Sequence, residues 1–240
     1  MTTLDHAPGA PGAAPPGFWW RVLTPPGSVL ATFAAIVVAF GILDQMPLSE
    51  DSIGAIIAFA SSAMMLVLGI LILQRLPAHE RRLAVARPQD RLRTTLVGAG
   101  AGLVLLVVAL LIVAAGAALD PGVQDRLDDV EEIGTAPWQL VLAALALVVL
   151  APLGEELLFR ALLLRGLVRR MTFVWAALIS ATAFAAVHID AYLLWPRLIS
   201  LLVTGLGLAW VYRRRGYWGA VAAHATVNVI ATISLIATSL

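Results

Sequence analysis

Two adjacent glutamates and an arginine four residues on lie inside a long run of leucine, in the stretch APLGEELLFRALLLR at 151–165. A soluble helix would turn Glu155, Glu156 and Arg160 to water, but the flanking residues leave no polar face on which to do so. From Trp138 to Leu164 the segment is long enough to cross a bilayer as one helix, for which about 20 residues suffice. On an insertion scale each central charge costs roughly 2.5–3.5 kcal/mol, while each Leu, Val or Phe returns roughly 0.3–0.6. The eleven leucines of that segment therefore about balance three charges. Such a helix inserts with no margin, so its charges must face a protein interior or a wet cavity and find partners there. Glu156 and Arg160, spaced i, i+4, share a helix face in the order favoured for an ion pair. Glu155 points about 100° away from Glu156 and has no local partner.

The rest of the chain fits a membrane setting. Apolar residues make up 60% of it and charged ones 13%, against about 25% charged in a soluble domain, and the mean hydropathy is +0.91. The expected fold class is all-α, a polytopic transmembrane bundle of about seven spans. All 16 basic residues are arginine and there is no cysteine, which excludes disulfides, thiolate metal sites and cysteine nucleophiles.

Residues 1–28, with six prolines among Ala and Gly, cannot bury a core and read as a disordered tail, in which Phe18, Trp19, Trp20 and Arg21 form an interfacial anchor. No basic stretch precedes a cleavable apolar one, so a signal peptide is not expected. Apolar segments follow at 29–43, 53–73, 94–118, 138–164, 173–189, 198–212 and 218–239. The first three form an N-terminal group (29–118), an acidic loop (119–137) comes next, and 138–234 is the candidate catalytic core. In the loop, Leu127, Val130 and Ile133 recur at helical spacing, but a solvated connector is the preferred reading. Gly98 and Gly102 make a small-xxx-small pair suited to close helix contact.

Loop charge sets an orientation. Arginines crowd 74–93, then Arg165, Arg169 and Arg170, then Arg213, Arg214 and Arg215, while the alternate loops carry Asp44, Glu50 and Asp51, the acidic run from Asp120 to Glu132, and Asp190 beside Arg197. Seven spans put every arginine-rich loop on one side. The positive-inside rule makes that side cytoplasmic, with the N-terminus inside and the C-terminus outside. The arginine runs are a topology signal rather than a nucleic-acid surface.

Within apolar stretches, other ionisable or strongly polar groups are few. His188 ends FAAVH, with Phe184 on the same face; His224 and Asn228 share a face in HATVN. A lone histidine in a membrane helix is often a structural hydrogen-bonding group, but two histidines, an amide and a spare carboxylate on three spans point to function. At 1.5 Å per residue Glu155 lies about 15 Å from Arg165, His224 about 10 Å from Tyr217 and His188 about 22 Å from Phe173, so helix tilt allows one site near mid-membrane. A carboxylate in an apolar site is a candidate general base for water. A neutral histidine can orient that water or bind a metal, and a second histidine with an amide can donate to a developing oxyanion. Together they describe hydrolysis of a carbonyl compound, most simply a peptide bond.

EELLFR, FAAVH and HATVN, in that order and each in an apolar span, resemble the motifs EExxxR, FxxxH and HxxxN of the CAAX prenyl protease and bacteriocin-processing (CPBP/Abi) family of intramembrane metalloproteases. The resemblance covers about 138–234. It implies that Glu155 activates water with help from His188, that His224 and Asn228 stabilise the oxyanion or complete the water site, and that Glu156 and Arg160 form a supporting ion pair. It implies a divalent metal such as zinc, with His188, His224 and Glu155 as candidate ligands. With no HExxH pair and the histidines on different spans, the sequence leaves metal use open. It also implies a bacterial-type cytoplasmic membrane and a peptide or protein substrate arriving from the bilayer or the cytoplasm. Two other readings use the same residues: a proton- or cation-coupled transporter, against which the lack of recognisable repeats speaks, and a non-catalytic immunity or scaffold protein.

Overall fold

The computed structural model describes residues 18–120, 122–123, 136–188 and 194–239, and among these every regular element is helical. The elements are α1 (Phe18–Leu43), α2 (Glu50–Gln74), the short α3 (Ala78–Ala84), α4 (Arg91–Leu119), α5 (Pro137–Leu167), α6 (Phe173–Ala186) and α7 (Trp195–Ser239). By length and composition α1, α2, α4, α5 and α7 can each cross a membrane. All seven tryptophans except Trp20 are well exposed, and Trp20 is at the margin; indole rings at helix ends are what a bilayer interface selects.

The seven apolar segments correspond to helices, with three revisions. Helix α1 begins at Phe18, so 18–28 are not a disordered tail; residues 1–17 lie outside the described residues. The helix runs through Pro25 and Pro26, whose missing N–H groups would ordinarily break it. Hydroxyls beside them bond back to the helix, Thr24 donating to the Trp20 carbonyl at 2.7 Å and Ser28 to that of Pro25 at 2.7 Å, as Ser and Thr do in membrane helices; the carbonyls that lose an i+4 N–H are those of Arg21 and Val22. Helix α6 stops at Ala186, and its 14 residues reach only about 21 Å at 1.5 Å each. His188 therefore follows a helix end rather than sitting inside a span. Most of the acidic loop, including the spacing at Leu127, Val130 and Ile133, is outside the described residues.

The third revision concerns α7, which turns back on itself. Gly216 has φ 70° and ψ −170°, a left-handed backbone open to glycine. Before it, residues 195–215 run antiparallel to α4, with Gly116 against Pro196 and Gly207 against Leu105; after it, 217–239 run parallel, with Gly98 against Gly219 and Gly102 against Ala223. The Gly98/Gly102 pair thus serves the close packing expected of it.

The two ends of the bundle differ in charge. At one end Glu80 of α3 binds Arg21 of α1 and, at 2.9 Å, Arg169 after α5, and the Tyr212 hydroxyl donates to the Ala84 carbonyl at 3.1 Å. At the other, the Trp195 indole donates to Asp120 at 3.4 Å and the Gln139 amide to Ser52 at 3.0 Å. Helix α5 stands between α2, α6 and α7, and its residues 154–164 are all buried.

Candidate active site

The charged turn of α5 is wound wider than an α-helix. Leu145–Leu150 and Glu156–Leu164 are π-helical, separated by the α turn Ala151–Glu155, a winding that recurs at functional sites. Ala151 N–H bonds the Ala146 carbonyl, so in the same register the Leu147 carbonyl would look to residue 152, which is proline and has no N–H. The Asn228 side-chain amide fills that role, donating to Leu147 O at 2.7 Å. Two more donors from neighbouring helices reach carbonyls of α5: the Tyr217 hydroxyl to Leu153 O at 2.9 Å and the Ser180 hydroxyl to Phe159 O at 2.8 Å.

This winding carries Glu155, Glu156 and Arg160 into the interior. Glu156 and Arg160 are wholly buried, and Glu156 Oε1 stands 3.0 Å from Arg160 Nη1. The contact is a charge pair without hydrogen-bond alignment, because Nη1 has no hydrogen-bond partner; Nη2 does, donating to the Gly205 carbonyl at 3.2 Å. The guanidinium also lies over the Phe184 ring, 4.4 Å from its centre, in cation–π range. Glu156 Oε1 receives a second neighbour, His224 Nδ1, at 3.0 Å.

That contact aims the histidine. With Nδ1 held by Glu156, His224 presents Nε2 to Glu155 Oε2 across 3.9 Å, too long for a hydrogen bond. Glu155 Oε2, which bounds the gap on one side, is buried and lacks a hydrogen-bond partner, as does Glu156 Oε2.

The candidate residues therefore do not all converge in one way. Glu155, Glu156, Arg160 and His224 form one contact group. His188 is turned back on its own helix, Nδ1 2.8 Å from the Phe184 carbonyl, where it caps an end that lacks backbone donors. Asn228 shares the helix face of His224, but its amide is engaged with α5. Phe184 links the parts: its ring centre is 4.9 Å from His188, 5.8 Å from His224 and 5.6 Å from Phe159. The motif spacing hinted at this phenylalanine. Nothing in the sequence pointed to Gly205, Ser180 or Tyr217, because their roles depend on which carbonyls α5 leaves open.

A zinc site needs three protein ligands or more. Among the described residues no three His, Asp or Glu side chains converge as a set able to hold a metal ion, and the candidates named from the sequence, Glu155, His188 and His224, are no exception. The donors as placed do not fit such a site, and no step below runs through a metal.

Residues 137–230 match the family model described as Type II CAAX prenyl endopeptidase Rce1-like. Over these residues the chain is similar to that family. The match takes in α5, α6 and most of α7, the helices that supply every residue of the contact group, and bears out the resemblance carried by the three motifs. No curated protein and no solved structure matches the chain. With five helices long and apolar enough to cross a membrane, the chain is an integral membrane protein, and its similarity is to CAAX-protease-type endopeptidases.

Proposed function

We propose that the protein is an intramembrane endopeptidase in which Glu155 activates the attacking water. The observation that carries this reading is the 3.9 Å gap between Glu155 Oε2 and His224 Nε2, bounded by an unpartnered carboxylate oxygen in an otherwise apolar helix. With Nδ1–H donating to Glu156, His224 Nε2 carries a lone pair. A water in the gap donates one hydrogen to Glu155 Oε2 and the other to His224 Nε2, and its oxygen lone pair is left to attack a carbonyl carbon. As the C–O bond forms, Glu155 takes a water proton and the carbonyl oxygen becomes an oxyanion. Asn228, with a second amide hydrogen beyond the one on Leu147, is the group offered as donor to it; the ring proton of a neutral His188 is already given to the Phe184 carbonyl. Collapse breaks the C–N bond, and the proton on Glu155 passes to the departing amine. Glu156 and Arg160 orient His224 rather than touching substrate.

The same reading includes seven crossings with the arginine-rich end cytoplasmic, supported by the reversal at Gly216 and by the meeting of Arg21, Glu80 and Arg169 at one end. A peptide or protein substrate then comes from the bilayer or the cytoplasmic side.

Glu155→Gln keeps the shape of the side chain and removes the base. Peptide cleavage should fall by about 10²–10⁴-fold, with expression and thermal unfolding in detergent unchanged. Cleavage at the wild-type rate by the folded variant would end the proposal, as would accumulation of the same fragments in cells carrying either form.

A further inference from the structure

Three side chains on one face of the second half of α7 reach α5. Tyr217, His224 and Asn228 follow one another at intervals of seven and four residues, which on a helix keeps them within about 40° of one another. His224 meets Glu156 and faces Glu155, while the other two bond the backbone. The Tyr217 hydroxyl donates to the Leu153 carbonyl at 2.9 Å and the Asn228 amide to that of Leu147 at 2.7 Å. His224 thus sits between two clamps that join the helices. Tyr217 takes no part in the proposed chemistry, and a hydroxyl is not what its setting calls for. The residue is buried and its ring belongs to the apolar core, where Phe would fill the same space with no O–H in need of a partner.

Leu153 is where such a clamp has most effect. It lies in the single α turn, Ala151–Glu155, between two π-helical stretches, and the Glu156 N–H is divided between the Pro152 and Leu153 carbonyls as the winding changes. One residue of slippage there turns the side chains that follow by about 100° and carries Glu155 off the face that meets His224. On the other helix, the left-handed Gly216 sets Tyr217 at the start of the returning half, so the reversal and the clamp together fix the height at which His224 enters. The gap between Glu155 and His224 is 3.9 Å, and a misplacement of about 1 Å in a reacting group can cost about 10²-fold in rate. We propose that Tyr217 is a positioning residue for the hydrolysis: its hydroxyl, bonded to Leu153, holds the Glu155 turn in register with His224 without touching substrate. This rests on the reading of Glu155 and His224 as the pair that activates water.

The test compares two like substitutions in the full chain. Tyr217→Phe and Tyr212→Phe each remove one hydroxyl from a buried tyrosine and one donor from a backbone carbonyl, that of Leu153 in the first and that of Ala84, on α3, in the second. In peptide cleavage in detergent, Tyr217→Phe should lower kcat about tenfold and leave KM within about twofold, whereas Tyr212→Phe keeps the wild-type kcat. The unfolding temperatures of the two variants should fall alike. In a Glu155→Gln chain, adding Tyr217→Phe should slow cleavage no further, because the clamp acts through the carboxylate already removed. Activity lost in both tyrosine variants in step with stability, or full multiplication of the two effects in the double variant, would make Tyr217 a structural contact only and overturn the assignment. Glu155-dependent cleavage at the wild-type kcat in Tyr217→Phe would also overturn it, with the hydrolase reading left standing. Wild-type cleavage that Glu155→Gln does not slow would instead remove that reading and the assignment with it.

Discussion

Arg160 is wholly buried among three kinds of neighbour: the Glu156 carboxylate, the Gly205 carbonyl and the Phe184 ring. Removing one member of a buried charge pair leaves the other uncompensated and typically costs about 3–5 kcal/mol, whereas loss of a single hydrogen bond to a carbonyl costs about 1–3 kcal/mol. Arg160→Ala should therefore lower the unfolding temperature in detergent, and the yield of folded protein, well beyond Asn228→Ala. Similar losses for both would show that the Glu156 charge is compensated by something other than Arg160. Because Glu156 also holds His224, Arg160→Ala should weaken the aim of that imidazole as well as the fold, while Asn228→Ala leaves the pair intact and opens only the Leu147 carbonyl.

Among the elements, the α4–α7 pairing rests on missing side chains. A Cβ on Gly98 would come within 2.5 Å of the Gly219 carbonyl oxygen, and one on Gly102 within 2.3 Å of that of Ala223, whereas one on Gly100 would meet nothing within 4 Å. In membranes small residues let backbones approach where no hydrophobic force draws helices together. Gly98→Ala and Gly102→Ala should force α4 from the second half of α7 and lower the unfolding temperature. Gly100→Ala should be neutral or stabilising, since alanine in a helix is favoured over glycine by about 0.5–1 kcal/mol. Three equal shifts would refute the pairing. The stakes reach the site, because the part of α7 that these glycines seat also carries His224 and Asn228.

For the whole molecule, charge at the arginine-rich end couples stability to pH. Burial pushes the Glu80 carboxyl up, but the hydrogen bond from Arg21 and the charge of Arg169 outweigh it and hold it below the ordinary carboxylate range. A carboxyl lowered by folding contributes stability that is present above its unfolded pKa and lost as pH falls through its folded value. Acidification below the carboxylate range should loosen α3 from α1 and from the end of α5, and the melting temperature of the wild type should drop more steeply there than that of Glu80→Gln. Parallel curves would remove Glu80 from the linkage. Orientation is open to a direct measurement, since the chain has no cysteine of its own. A cysteine introduced at the exposed Arg87 should react with an impermeant maleimide only in inside-out vesicles, and one at Asp44 only in right-side-out vesicles or intact cells; the reverse pattern would invert the proposed topology.

Local relations needed only the sequence. The spans follow from runs of apolar residues. The Glu156–Arg160 pair follows from an i, i+4 spacing that any helix imposes, and π winding of the turn did not undo it. The closeness of α4 to α7 was half legible, since Gly98 and Gly102 marked a packing face without naming the helix that meets it. Relations between distant segments came from the tertiary structure. That His224 rather than His188 faces Glu155, that Asn228 is drawn to a carbonyl orphaned by Pro152, and that Glu80 gathers Arg21 and Arg169 all depend on how separate helices are rotated and how far they slide past one another. Such rotations are set by packing over whole surfaces, by close approaches such as Gly98 on Gly219 and by the turn at Gly216, and no short stretch of residues encodes them.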